Sequence, residues 1–194
     1  MDEEGLWAAG LKEWAVAADA LARGDQILIM RKGGIREETK EFRVESDSFY
    51  LYPTYEHQRK ELVKPPYADR VEELVSGWSA EQIEIGIELY AELAEDILIH
   101  SQEQLDKLAP FHIWTDRFAE ERLKWKRAKP LHLMLLRVYK LETPVRIPVL
   151  PAYNGCKSWI ELPGKALDAV ERRQVLSEEQ FQVKQAEIKA ALNR

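Results

Sequence analysis

The stretch 131–141, LHLMLLRVYKL, constrains the fold more than any other, because its apolar residues fall on both alternating faces. A strand of that kind must be covered on both sides, which predicts a central position in a sheet with Leu135 and Val138 buried. A second stretch, 81–100, alternates Ile83, Ile85, Ile87, Leu89, Ala91 and Leu93 with Glu84, Gly86, Glu88, Tyr90 and Glu92. Period two marks a long strand with one wet face. The alanine and glutamate content and the capping-box pattern Ser79-Ala-Glu-Gln82 pull toward helix. Six alternations outrank that pull.

The other elements arrange themselves around these two. Trp7, Leu11, Trp14, Ala18 and Leu21 recur at helical spacing, predicting an amphipathic helix over 6–22 that Gly24 stops. Residues 26–31 read as a strand, Gly33-Gly34 as a turn, and 41–45 and 48–52 as further strands. Pro65-Pro66 breaks regular structure and opens a new section of chain. Short helices are expected at 102–108 and at 115–125, the second capped by Thr115, with Phe118 and Trp125 a heptad apart. Residues 145–149 and 157–162 continue the sheet, with Pro144, Pro148 and Pro151 keeping those strands short or at an edge. Ser177-Glu-Glu-Gln180 is a capping box opening a last helix that sets Phe181, Ile188 and Leu192 on one side. Most of the six tryptophans, Trp7 and Trp14 especially, are expected in the core. The chain reads as one α+β domain over 1–194, with an N-terminal helix about 5–22, a β core about 26–163 and a C-terminal helix about 177–192.

Composition narrows the function classes. With 45% hydrophobic and 32% charged residues, the chain has the make-up of a soluble globular protein. Its apolar runs are too short to span a bilayer, so no membrane partner is expected. The acidic start, Met-Asp-Glu-Glu, is unlike a secretory signal, and Cys156 is the only cysteine, which together point to the cytoplasm. A net charge of −6 argues against coating nucleic acid by bulk electrostatics. It leaves room for a local basic groove, since Arg31-Lys32-Arg36 and Arg122-Lys124-Lys126-Arg127-Lys129 are clustered.

The chemistry-bearing residues stand at the ends of expected elements. Arg31-Lys32 closes a strand. Tyr55, His57 and Gln58 follow Pro53, beyond a strand end, where recognition residues gather. His112, Trp114 and Arg117 put an imidazole, an indole and a guanidinium at a helix start, which suits anion binding and base stacking; Trp114 packing as core is the competing reading. Arg137 interrupts the most apolar strand and must find an anion or reach solvent at a rim, either in an internal ion pair with a glutamate or on a pocket floor where it recognises a phosphate or a base edge. His57, His100, His112 and His132 are scattered without a metal-ligand pattern, so no metal or other cofactor is expected, and no phosphate-cradling glycine loop is present. Asn154-Gly155-Cys156 is a turn, and Cys156 reads as a small hydrophobe rather than a nucleophile.

Leu11-Lys-Glu-Trp14, Arg31-Lys-Gly-Gly-Ile35, Phe42-Arg-Val-Glu45, Tyr52-Pro-Thr-Tyr-Glu-His-Gln58, His112-Ile-Trp114, Arg137-Val-Tyr139 and Gly155-Cys-Lys-Ser-Trp159 resemble the domain-of-unknown-function family 1802 across nearly the whole chain. That resemblance implies no established activity and only a loose link to restriction-modification or defence. Gly24 and Arg31 are also similar to the first and last positions of the GxKxxExR opening of PUA- and ASCH-type small β-barrels, while Gln26 and Ile29 depart from it. This second resemblance implies a mixed, partly closed β-barrel with flanking helices. The expected function is a nucleic-acid-binding or sensing module for DNA or RNA, with Arg31, Lys32, Tyr55, His57, Gln58, His112, Trp114, Arg117 and Arg137 as binding residues. An enzyme of nucleic-acid or nucleotide metabolism, with His57 or His112 as base, and an interaction protein are the alternatives.

Overall fold

A computed structural model describes residues 7–32, 42–124, 130–155 and 157–193. The long apolar stretch forms β5 (Leu131–Pro148), preceded by β1 (Trp7–Trp14), β2 (Leu28–Arg31), β3 (Ser48–Thr54) and β4 (Glu84–Ile99). It is followed by β6 (Trp159–Pro163) and β7 (Arg172–Gln174). All seven strands share one sheet in the order β2-β5-β4-β3-β1-β6, with β7 also pairing β5. Only β1 and β3 run parallel; the other pairings are antiparallel.

As its two-sided apolar pattern requires, β5 is paired along one flank by β4 and along the other by β2 and β7, and Leu135 and Val138 are buried. The alternating stretch is the strand β4: Ile85, Ile87, Leu89 and Ala91 are buried while Glu84 and Glu88 face solvent. Its alternation ends at a register shift between Leu93 and Glu95, and Ile83 just outside the strand is exposed. Residues 145–149 are not a separate strand. Most of them prolong β5 past an irregularity around Pro144 and pair with the start of β4.

The N-terminal expectation needs correction. Residues 7–14 are a strand, and only α1 (Ala15–Ala22) is helical. Trp7 is 57% exposed at the start of β1, and Trp14 is half-buried against Phe118. Strand pairing to β3 and β6 won over a coincidental helical spacing. Gly24 does stop α1, at φ 71. Its N–H and that of Asp25 return to the Leu21 and Ala20 carbonyls. Residues 42–45 lie outside any strand, again against expectation, and the Gly33-Gly34 turn, Arg36, Trp125, Lys126, Arg127, Lys129 and Cys156 lie outside the described residues.

Helices cover the sheet: α2 (Pro65–Ser76) opens on Pro65 at a first-turn position that needs no N–H. The helices α3 (Gln102–Lys107) and α4 (Asp116–Lys124) follow β4, and α5 (Gly164–Asp168) follows β6. The last helix, α6 (Glu178–Leu192), starts at the expected capping box, in which Ser177 Oγ accepts from Gln180 N–H and the Gln180 amide oxygen accepts from Ser177 N–H. Both faces of the sheet are buried: Phe49 and Leu51 of β3 belong to the larger apolar cluster, Tyr50 and Tyr52 to a second one.

The sheet is not a barrel. Its end strands β2 and β6 do not pair, so the expected closure is absent at the level of backbone hydrogen bonds. A side chain crosses the gap instead. Arg31, at the end of β2, donates from Nη1 to the Lys12 carbonyl of β1 at 3.0 Å and from Nη2 to Ser158 Oγ, beside β6, at 2.7 Å.

Candidate functional site

Arg31 is the centre of a buried polar cluster where the two ends of the sheet approach each other. Its side chain is 13% exposed, and Nη1 lies 3.5 Å from Glu13 Oε2, a carboxylate 6% exposed. Glu13 Oε1 accepts the Trp14 N–H at 2.8 Å. Glu13 reaches this position because it shares the inward face of β1 with Leu11. Lys12 points to the opposite face, where Nζ donates to the Tyr153 and Gly155 carbonyls at 2.7 and 2.8 Å and holds the turn before β6. Lys32 is 5% exposed and donates to the Leu123 carbonyl at the end of α4 at 2.5 Å. Arg122, one residue earlier, lies over the Phe118 ring at 5.1 Å.

The electrostatics of this cluster are unbalanced. Burial lowers the pKa of Lys32, and burial and the neighbouring Arg31 charge lower that of Arg122, partly offset by Glu13. Among the described residues only Glu13 forms an ion pair with any of these three cations. Among the described residues, three half-buried to buried cations thus share one carboxylate. Cations withdrawn from water without a full complement of countercharge are costly, and an anion entering beside them recovers part of that cost through charge-assisted hydrogen bonds.

The remaining residues expected from sequence fall in different places. The Gln58 Oε1 accepts the Val16 N–H at 2.9 Å and caps the start of α1. Tyr55 stacks on Trp78 with centroids 5.9 Å apart, and burial and the Glu88 charge raise its pKa. His57 is exposed, at φ 63. His112 and Trp114 are 5% and 1% exposed and so line no surface. Trp114 stacks on Phe118, and neither its Nε1 nor either His112 nitrogen meets a partner at hydrogen-bond geometry. Burial and the Lys64 charge depress the His112 pKa to about 4, with the Trp114 backbone offsetting only part of the shift. That leaves His112 a poor base at neutral pH. Arg117 is exposed and paired with Glu121 at 3.0 Å.

Arg137 has an internal answer. It makes a two-pronged pair with Glu178 at 2.9 and 2.7 Å, lies 4.4 Å from the Phe181 ring centre, and pins the start of α6 to β5. That pairing holds the Glu178 carboxyl down to about 2. The hollow beside it, lined by Gln26, Arg137, Glu178 and Phe181 among others, has a volume of about 10 Å³, room for roughly one water.

Glu13, Ser158 and Arg122 are functional candidates that the sequence does not single out. A helical spacing puts Glu13 on a wet face, whereas the strand turns it inward, and Arg122 is one charge in a run. The usable signals are the motifs Leu11-Lys-Glu-Trp14 for Glu13 and Gly155-Cys-Lys-Ser-Trp159 for Ser158. Among the described residues no group of three or more His, Cys, Asp or Glu is gathered to hold a metal ion, and no helix is long and apolar enough to cross a membrane.

These features define an α+β protein with a mixed seven-stranded sheet, open between β2 and β6 and bridged there by a buried arginine. Residues 10–187 match the family described as domain of unknown function (DUF1802), and the chain belongs to that family. No curated protein matches it. Among solved structures it is similar to the crystal structure of ASCH from Zymomonas mobilis, at 11% identity and a TM-score of 0.47, covering 84% of this chain and 95% of that one. It is similar also to a tyrosine-to-phenylalanine mutant of that protein, at 10% identity and a TM-score of 0.48, covering 84% and 98% of the two chains. A serine-to-alanine mutant matches at 12% identity and a TM-score of 0.42, covering 92% and 94%. Likeness at this level fixes neither a site nor an activity.

Proposed function

We propose that the protein is a cytoplasmic nucleic-acid-binding or sensing module, acting as one domain, that takes a backbone phosphate at the Arg31 cluster. The observation that supports this reading is the surplus, among the described residues, of half-buried to buried positive charge, Arg31, Lys32 and Arg122 against Glu13, inside a chain of net charge −6. A phosphodiester is an anion of the right sign, and guanidinium groups suit its geometry. A role beside restriction-modification or defence systems belongs to the same proposal and draws on the family resemblance.

The test is a titration of single- and double-stranded DNA and RNA at two salt concentrations. Lys32→Ala and Arg122→Ala are each expected to weaken binding and to flatten the salt dependence, by about one unit of slope for every phosphate that is no longer neutralised. Arg117→Ala, on the exposed face of α4, is expected to change neither. Binding no tighter than about millimolar to every probe would overturn the proposal, since non-specific binding alone normally reaches that range or better.

A further inference from the structure

Two atoms of the cluster are left over once its internal bonds are counted. Arg31 uses Nη1 and Nη2 on Lys12, Ser158 and Glu13, but its Nε–H, fully buried, has no hydrogen-bond partner among the described residues. Glu13 uses Oε1 on the Trp14 N–H, while Oε2, also buried, accepts no hydrogen bond from them. A buried donor or acceptor without a partner is costly, and here a donor and an acceptor are orphaned on the two members of one ion pair, an arrangement that the Arg70–Asp19 pair on α2 and α1 shares. The complement to that pair is a group carrying an acceptor beside an N–H donor.

We propose that Arg31 Nε and Glu13 Oε2 read the carbonyl–imino edge of one unpaired nucleobase, uracil, thymine or guanine. This rests on the nucleic-acid reading above and deepens it. The carbonyl oxygen accepts from Arg31 Nε–H, and the adjacent imino N–H donates to Glu13 Oε2. In a duplex that edge is engaged by the opposite base, so the site takes a single-stranded or flipped-out nucleotide. Both atoms are closed to solvent, and among the described residues Phe42 packs against Arg31, its ring 5.5 Å from the guanidinium and edge-on to His132 at 5.2 Å. Residues 42–46 lie in no strand or helix, and the Phe42 backbone forms no hydrogen bond to the backbone of another described residue. An entering base therefore displaces the Phe42 ring from Arg31, His132 and the Trp159 ring stacked on it at 6.2 Å, against the bond from Trp159 Nε1 to the Arg43 carbonyl but without breaking a backbone pair of the sheet.

The experiment uses the full chain and short labelled single strands of abasic backbone carrying a few uracils or a few guanines. The same strands with N3-methyluracil or N1-methylguanine, and one wholly abasic, complete the set. The base-bearing strands are expected to bind roughly tenfold or more tighter than the abasic strand, as expected for a good two-bond base contact. Methylation, which removes the imino N–H, is expected to return affinity to the abasic level. In Glu13→Gln the amide oxygen is held by the Trp14 N–H, so an NH₂ faces the imino group, and the preference for unmethylated strands is expected to vanish. Circular dichroism checks that this variant folds, and the methylated strands test the wild type without it. Equal binding of methylated and unmethylated strands, or a preference that survives in folded Glu13→Gln, overturns the inference while leaving the phosphate site standing. Absence of binding to every strand, the abasic one included, overturns both.

Discussion

His112 is buried with both ring nitrogens unpartnered among the described residues, and burial with the nearby Lys64 charge brings its pKa from 6.5 to about 4. A histidine whose folded pKa is depressed binds protons more readily when unfolded. Its contribution is therefore fully present above about pH 6.5 and is lost as pH falls toward 4. The loss is roughly 3 kcal/mol at most, since a pKa difference of one between folded and unfolded chain is worth about 1.4 kcal/mol. His112→Phe breaks no side-chain hydrogen bond of good geometry among the described residues and gives up only the weaker Trp114 backbone interaction. It is expected to hold stability at neutral pH within about 1.5 kcal/mol and to remove most of the decline between pH 6.5 and 4. Denaturant unfolding of both proteins at several pH values checks this; parallel curves across that window would contradict it. Arg31 illustrates the opposite arrangement. Its guanidinium is hydrogen-bonded on two sides, which is how a withdrawn arginine keeps a fixed direction.

Elements that carry one periodicity were legible in the sequence, and those that carry two were not. The strand β5 has apolar residues on both faces and β4 alternates, and each pattern has one structural solution. Ile85, 4% exposed, and Glu84, exposed beside it, give that solution an experimental form. Ile85→Lys is expected to destabilise by several kcal/mol and Glu84→Lys to be nearly silent. Thermal unfolding of the two variants separates these outcomes, and a comparable loss in both would show that β4 is not read by its alternation. The strand β1 escaped detection because Trp7, Leu11, Trp14 and Ala18 mimic a helical stripe, whereas the informative pair was Leu11 and Glu13, two apart and both buried. The same misreading concealed the site. A glutamate on a helix's wet face is ordinary, while a glutamate on the inner face of a strand demands a cation. Arg31 and Lys32 were legible because they close an apolar run, but Arg137 looked equally functional, and only the structure shows Glu178 already answering it.

On the scale of the whole molecule, the sheet is the device that positions the chemistry. Its order places β2 at one end and β6 at the other, 127 positions apart at Arg31 and Ser158, and its curvature returns them to hydrogen-bonding distance. Closure by backbone pairing would put a ladder where the Arg31 guanidinium now lies. Leaving the ends unpaired makes a gap with, among the described residues, one carboxylate and three cations, in a molecule otherwise rich in acidic residues. Nucleic acid is proposed to enter this gap and not to lie on the exposed basic residues of α4. The Arg31 Nε–H proton gives the most direct measurement, since an arginine side-chain N–H held in a buried site can be followed by NMR during titration with a single strand. A large displacement of the Arg31 Nε–H signal that saturates with binding, with Arg117 unmoved, is predicted. Saturable binding that moves the Arg117 signal and leaves that of Arg31 unchanged would contradict the account.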